Sequence, residues 1–228
     1  VDSTIVMPEH APISKVKATR SYGGRVVLHG EDYDEAAERA HEIEREEGRT
    51  YVHAFDDEMV MAGQGTIGLE IVEDCPDVET VIVPIGGGGL ISGIATAVKA
   101  HDPDIRVIGV QAELASTVHE SLRKGAPVDE ESPKTIADGI ATRTVGERTF
   151  EVIQKRVDEV VTVTDSEIAV ALTTLLERSK TLAEGAGAVA LAAVIDEAAS
   201  TRFLARLVWE SRLRPVLGRI KRQLPRLK

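Results

Sequence analysis

The sequence predicts an α/β fold built on a parallel sheet, and three observations carry that prediction. Val81-Ile82-Val83-Pro84-Ile85 is a continuous apolar run rich in β-branched residues, the pattern of a strand covered on both faces. It runs directly into four glycines and a helical stretch, Ile91 to Lys99, after which Ile105-Arg106-Val107-Ile108-Gly109-Val110 repeats the strand signal. Strand, glycine loop, helix and strand make a right-handed crossover unit. The composition agrees: aromatic residues are 3% of the chain, while 19 glycines and recurrent Ala and Val suit helices packed closely on a sheet.

The other elements follow in chain order. Thr4 to Pro8 reads as a short strand ended by its proline, Ser14 to Gly23 as a helix stopped by glycines, and Val26-Val27-Leu28 as a second strand. Asp32 to Glu47 has apolar or small residues at helical spacing and Gly48 at its C-terminal stop. Tyr51 to Phe55 looks extended, and Thr66 to Cys75 returns to helix until Pro76 breaks it. Beyond the crossover unit, Val160 to Thr164 is a strand. Ser166 to Lys180 is a helix opened by an Asp165-Ser166-Glu167 cap-like cluster, and Gly187 to Ile195 is a small-residue helix.

At 228 residues and 43% hydrophobic, the chain can bury one sizeable core, which excludes wholesale disorder. No window approaches the roughly 18 to 20 apolar residues of a membrane span, and no export signal opens the chain. Cys75 stands alone, so neither an intrachain disulfide nor a cysteine metal cluster can form, and a reducing cytoplasm fits. Arg202 to Lys228 holds nine basic residues and one acid, which leaves 18 basic and 37 acidic residues before it. Such an acidic body repels nucleic acid and stays hydrated at high ionic strength, as in salt-loving cytoplasms; an ordinary acidic enzyme is the other reading.

Gly86-Gly87-Gly88-Gly89-Leu90 carries the chemistry. Between a buried strand and a helix, such backbone can curl and point several N–H groups at one anion, with phosphate the obvious ligand. A tight strand–helix packing turn is the alternative. The spacing is neither the G-x-G-x-x-G of dinucleotide folds nor a P-loop, so a monophosphate cofactor survives.

Pro84-Ile85-Gly86-Gly87-Gly88-Gly89-Leu90-Ile91-Ser92-Gly93 resembles the tetraglycine loop of threonine dehydratases and serine racemases. Four further stretches agree in order and spacing: Met7 to Pro12 with Lys15-Val16, Ala62-Gly63-Gln64-Gly65-Thr66, Thr135-Ile136-Ala137-Asp138-Gly139, and Glu184-Gly185-Ala186-Gly187-Ala188. The similarity runs from about Thr4 to about Ile195 and is greatest to catabolic-type threonine dehydratases. It implies the tryptophan-synthase-β-like fold of pyridoxal-phosphate (PLP) enzymes. On that reading residues 1–61 are a remnant of the small domain, 62–199 the large cofactor-binding domain, and 200–228 a basic, non-homologous tail.

The resemblance further implies deamination of L-threonine, and of L-serine, to a 2-oxo acid and ammonia. Gly86, Gly87, Gly88, Gly89 and Leu90 would offer amides to the PLP phosphate, Gly139 would line the cofactor slot, and Glu184 would lie near the pyridine ring. Family members often bind a cation beside the segment occupied here by Gln111 and Ala115. The intact family member is expected to be a homo-oligomer in the cytoplasm, in isoleucine biosynthesis or threonine catabolism. Two alternatives stay open: a serine racemase, and a non-catalytic remnant that keeps only its phosphate loop.

The sequence departs from the family in two places. The Ser-Phe-Lys-x-Arg-Gly segment with the Schiff-base lysine, and the Asn-His motif after it, have no counterpart here. The expectation is therefore of a chain lacking its front segment, with negligible dehydratase activity alone. From Thr201 the sequence turns rich in Arg, Leu and Pro, which reads as out-of-frame translation or as a basic amphipathic helix interrupted by Pro215.

Overall fold

The computed structural model describes residues 1–130 and 134–195; the tail readings fall outside them. The chain divides into two compact units, Val1–His53 and Ala54 onward.

In the first unit β1 (Thr4–Met7) and β2 (Arg25–Leu28) pair in parallel, from Thr4 beside Arg25 to Met7 beside Leu28. Between them runs α1 (Ile13–Ser21), and α2 (Tyr33–Glu47) follows, ending at Gly48 with φ of 61°. The stretch from Tyr51 forms no strand. Instead the Tyr51 ring stacks on His41 of α2 with centroids 4.0 Å apart, so side-chain packing rather than ladder pairing decides its course.

The second unit holds α3 (Glu58–Asp74), β3 (Thr80–Pro84), α4 (Gly89–His101), β4 (Arg106–Ala112), α5 (Thr117–Lys124), α6 (Glu147–Arg156), β5 (Glu159–Val163), α7 (Asp165–Thr174) and α8 (Gly185–Ile195). Single 3-10 turns span Glu113–Ala115 and Asp138–Ile140, and a π-turn, Leu175–Ser179, follows α7. Strands β3, β4 and β5 form one parallel sheet in that order, and the parallel pairing of β3 with β4 is the one the crossover pattern predicts. Val81 and Val83 point into an apolar cluster shared with Val72, Ile94, Val98 and Phe150, while Ile82 packs against a second cluster containing Val110, Val163, Ile168 and Val189. Both sheet faces are covered, which explains the unbroken apolar run of β3.

Three differences from expectation have physical causes. Helix α3 starts at Glu58, not Thr66, because Asp57 caps it by accepting the N–H groups of Met59 and Val60. This helix runs through residues 61 and 62, in the compact unit that begins at Ala54. The α3 glycines are packing residues: a Cβ on Gly65 would sit 3.1 Å from the Gly93 carbonyl oxygen, and one on Gly68 would sit 3.0 Å from Ala97 Cβ on α4. Finally, α7 is capped by Thr164 rather than the Asp165 cluster, in a capping box with Glu167, and its helical hydrogen bonding loosens into the π-turn before Lys180.

Candidate active site: a glycine-lined anion cradle

Helix α4 begins where β3 ends, at the carboxyl edge of a parallel sheet, the place where open α/β folds bind ligands. The first N–H groups of a helix have no partner inside it and carry about half a positive charge. Neighbouring helices satisfy theirs with side-chain oxygens. Asp57 caps α3 and Thr164 caps α7; Asp56 Oδ1 reaches the Thr149 N–H of α6 at 2.9 Å, and Gln111 Oε1 reaches the His119 N–H of α5 at 2.8 Å. At the start of α4 stands Gly88, in the left-handed conformation and with no side-chain cap. An anion can take the place of the missing oxygen.

The four glycines answer to different constraints. Gly88 has φ of 98°, and a Cβ there would lie 2.8 Å from Thr149 Cβ. On Gly87 a Cβ would fall 2.5 Å from three atoms of the Phe55 ring, and on Gly89 it would fall 2.9 Å from the Phe55 carbonyl oxygen. Gly86 faces the Ile140 backbone, 3.1 Å from its Cα. Only Gly88 needs a positive φ. Close packing, one of the two readings weighed from the sequence, is observed at all four positions.

Two of the other segments singled out, 135–139 and 184–188, lie together beside this loop. Gly86 lies against Ile140, Gly139 next to it would place a Cβ 3.1 Å from Ala186 Cβ, and Gly185 seats on Ile136 and Ala137. Asp165 holds the 135–139 segment, accepting the Thr135 hydroxyl at 2.5 Å and the Ile136 N–H at 3.2 Å. Gly139 and Glu184 are both exposed, Glu184 standing immediately before α8. Sequence reasoning missed Phe55, Asp56 and Thr149. Asp57, at the start of α3, carried a readable cap signal, but Thr149 bonds over a separation of 62 residues that no local pattern reveals.

Gln111 and Ala115, the residues beside which a cation is expected, are both buried. Gln111 is fully buried, and donation by the His119 N–H fixes its amide so that Oε1 is used and Nε2 is left without a partner. The Thr117 hydroxyl is a second buried group there without a hydrogen-bond partner. Among the described residues no group of three or more His, Cys, Asp or Glu could hold a metal, and no helix is long and apolar enough to cross a membrane.

Comparison with known proteins sharpens the chemistry. A family model for pyridoxal-phosphate dependent enzymes matches residues 1–206. An L-threonine ammonia-lyase of Thermotoga maritima is 52% identical over 197 residues, 86% of this chain and 49% of the relative. Among solved structures, the processed threonine deaminase isoform 2 of Solanum lycopersicum superposes with a TM-score of 0.83 at 39% identity, covering 90% of this chain and 55% of that one. Maize serine racemase gives 0.83 at 34% identity, covering 87% and 60%. The chain spans about half the length of such curated relatives.

Proposed function

The chain belongs to the pyridoxal-phosphate dependent enzyme family, and from that membership we propose that it carries the phosphate cradle of a threonine ammonia-lyase. The reaction converts L-threonine, or L-serine, to 2-oxobutanoate or pyruvate and ammonia. The uncapped, glycine-built start of α4 is the observation that supports this reading.

In the proposal the N–H groups of Gly86 to Gly89 and Leu90 hold the phosphate, and the positive end of α4 favours its dianion. Gly139 lines the cofactor slot beside Gly86 and Ile140, and Glu184 stands near the pyridine ring. Bound PLP supplies the electron sink for the carbanion left when the α-proton departs. The chain's own task is to fix the cofactor's orientation. A racemase reading has less support, because serine racemase likeness comes at 34% identity against 52% for an ammonia-lyase.

No cation enters the proposal. A homo-oligomer in a reducing cytoplasm is part of it, the setting being supported by the exposed free thiol of Cys75. Several lysines are engaged elsewhere: Lys99 with Asp158 at 2.8 Å, Lys155 with Glu151 at 3.3 Å and Lys180 with the Glu177 carbonyl at 2.8 Å. The chain alone is accordingly expected to bind PLP without covalent capture.

Absorbance titration with PLP, borohydride trapping and a threonine-dependent 2-oxobutanoate assay test the proposal together. Saturable binding without a trapped adduct or turnover supports it. Absence of binding at millimolar PLP overturns the cradle, and a trapped lysine with turnover overturns the non-covalent part.

A further inference from the structure

We propose that Thr149, held by Asp56, is the positioning residue that aims the glycine loop at the phosphate; this rests on the cradle reading above. Thr149 lies in the first turn of α6 and is fully buried. Its hydroxyl is 2.7 Å from the Gly87 carbonyl oxygen and 3.0 Å from that of Gly146. A hydroxyl has one proton to give, and the shorter contact is to Gly87. The Gly146 N–H reaches the same Gly87 carbonyl at 3.3 Å, so two donors from α6 and its lead-in pull that oxygen to one side.

The consequence follows from peptide geometry. The Gly87 carbonyl and the Gly88 N–H belong to one planar trans unit and point in opposite directions. Fixing the carbonyl towards α6 turns the Gly88 N–H away from α6. Without the Thr149 hydroxyl only the longer 3.3 Å contact from the Gly146 N–H holds this peptide, and a left-handed glycine beside it tolerates many conformations.

Thr149 is itself held. Asp56 Oδ1 accepts its backbone N–H at 2.9 Å, Ser92 on α4 donates to its carbonyl at 3.3 Å, and Gly146 leaves room for the Asp56 carboxyl by lacking a side chain. The residue therefore ties together the loop before α3, the start of α6 and α4, and its hydroxyl donates to a carbonyl of the glycine loop.

The test compares PLP with pyridoxal, which lacks the phosphate, on the whole chain, with thermal melts run alongside. Thr149→Val keeps the side-chain shape and removes the donor. Its PLP affinity should fall about 10- to 100-fold, the range for one hydrogen bond serving a charged group, while pyridoxal affinity holds. Thr149→Ser should restore the PLP-to-pyridoxal ratio. A merely structural role predicts a lower melting temperature with the parental ratio, and that result overturns the inference. Should Thr149→Val lose its fold by circular dichroism, Thr149→Cys, with a weak thiol donor, should give an intermediate ratio, and a parental ratio there is equally fatal. A parent chain that binds both compounds equally well instead overturns the cradle reading.

Discussion

At the residue scale, glycines with positive φ separate site from scaffold. Gly88 and Gly125 both adopt left-handed backbone, but a Cβ on Gly125 would meet nothing within 4 Å, whereas one on Gly88 would strike Thr149. Alanine at either position should cost roughly 1–2 kcal/mol from backbone strain. Gly88→Ala should in addition weaken PLP binding at least about tenfold, since the loop must shift by more than strain alone requires. Urea denaturation and PLP titration of both variants separate the effects. Gln111 gives a second contrast: melting of the parent chain should be unmoved by magnesium, calcium or a chelator. Gln111→Glu places a carboxylate in a fully buried position beside unpartnered groups, and should melt lower at pH 8 than at pH 5. The four glycines were legible from the sequence as the junction between a buried strand and a helix. Phe55 and Thr149, which explain why three of the four must be glycine, were not, because close approach between distant segments leaves no local pattern.

Among elements, helix ends decide most of what the sequence could and could not reveal. Helices α1, α2, α4, α7 and α8 were legible, while α5 and α6 went unread, and side-chain oxygens from elsewhere in the chain hold their first turns. The α7 cap was placed one residue late. Thr164→Ala should cost about 1 kcal/mol in urea denaturation, the usual value for a lost cap, whereas Ser166→Ala should be neutral. The loop after α5 contains a carboxyl of opposite behaviour to most surface acids. Burial, with the Glu120 charge adding to it, pushes the Glu130 carboxyl up, and among the described residues its Oε2 has no hydrogen-bond partner. A raised folded-state pKa means that the folded chain holds the proton more tightly than the unfolded one. Stability from this group is therefore present below the ordinary carboxylate range and lost as pH rises through the raised value. Glu130→Gln should raise the urea midpoint at pH 7 and leave it unchanged near pH 3. A variant with equal midpoints to the parent at both pH values contradicts the sign.

Across the whole molecule, the two units rest on unequal foundations. In the second unit a three-stranded sheet is covered on both faces, and Val107, Ile108 and Val110 of its central strand are fully buried. In the first unit the sheet has two strands, and the buried apolar residues are Val16, Ala36 and Ile43. A two-stranded sheet is marginal by itself, and burying a large aliphatic side chain contributes only about 1.5–3 kcal/mol. The first unit adds a surface network in which Arg25 meets Glu47 at 2.5 Å and Arg49 joins Glu47 at 2.6 Å and Asp2 at 3.0 Å. These arginines hold the Glu47 carboxyl below the usual carboxylate range, yet exposed pairs contribute little and are screened by salt. Parallel pairing of β3 and β4 was legible from the crossover pattern, but this inequality was not, since burial is a property of the assembled core. It leads to a distinct expectation for amide hydrogen exchange. The β1 and β2 amides should exchange through a low-energy local opening, faster than those of β4 by at least about a hundredfold. Added salt should speed the first set further by screening the arginine network and leave β4 unchanged. Equal protection in β1 and β4 would mean that the two units open as one.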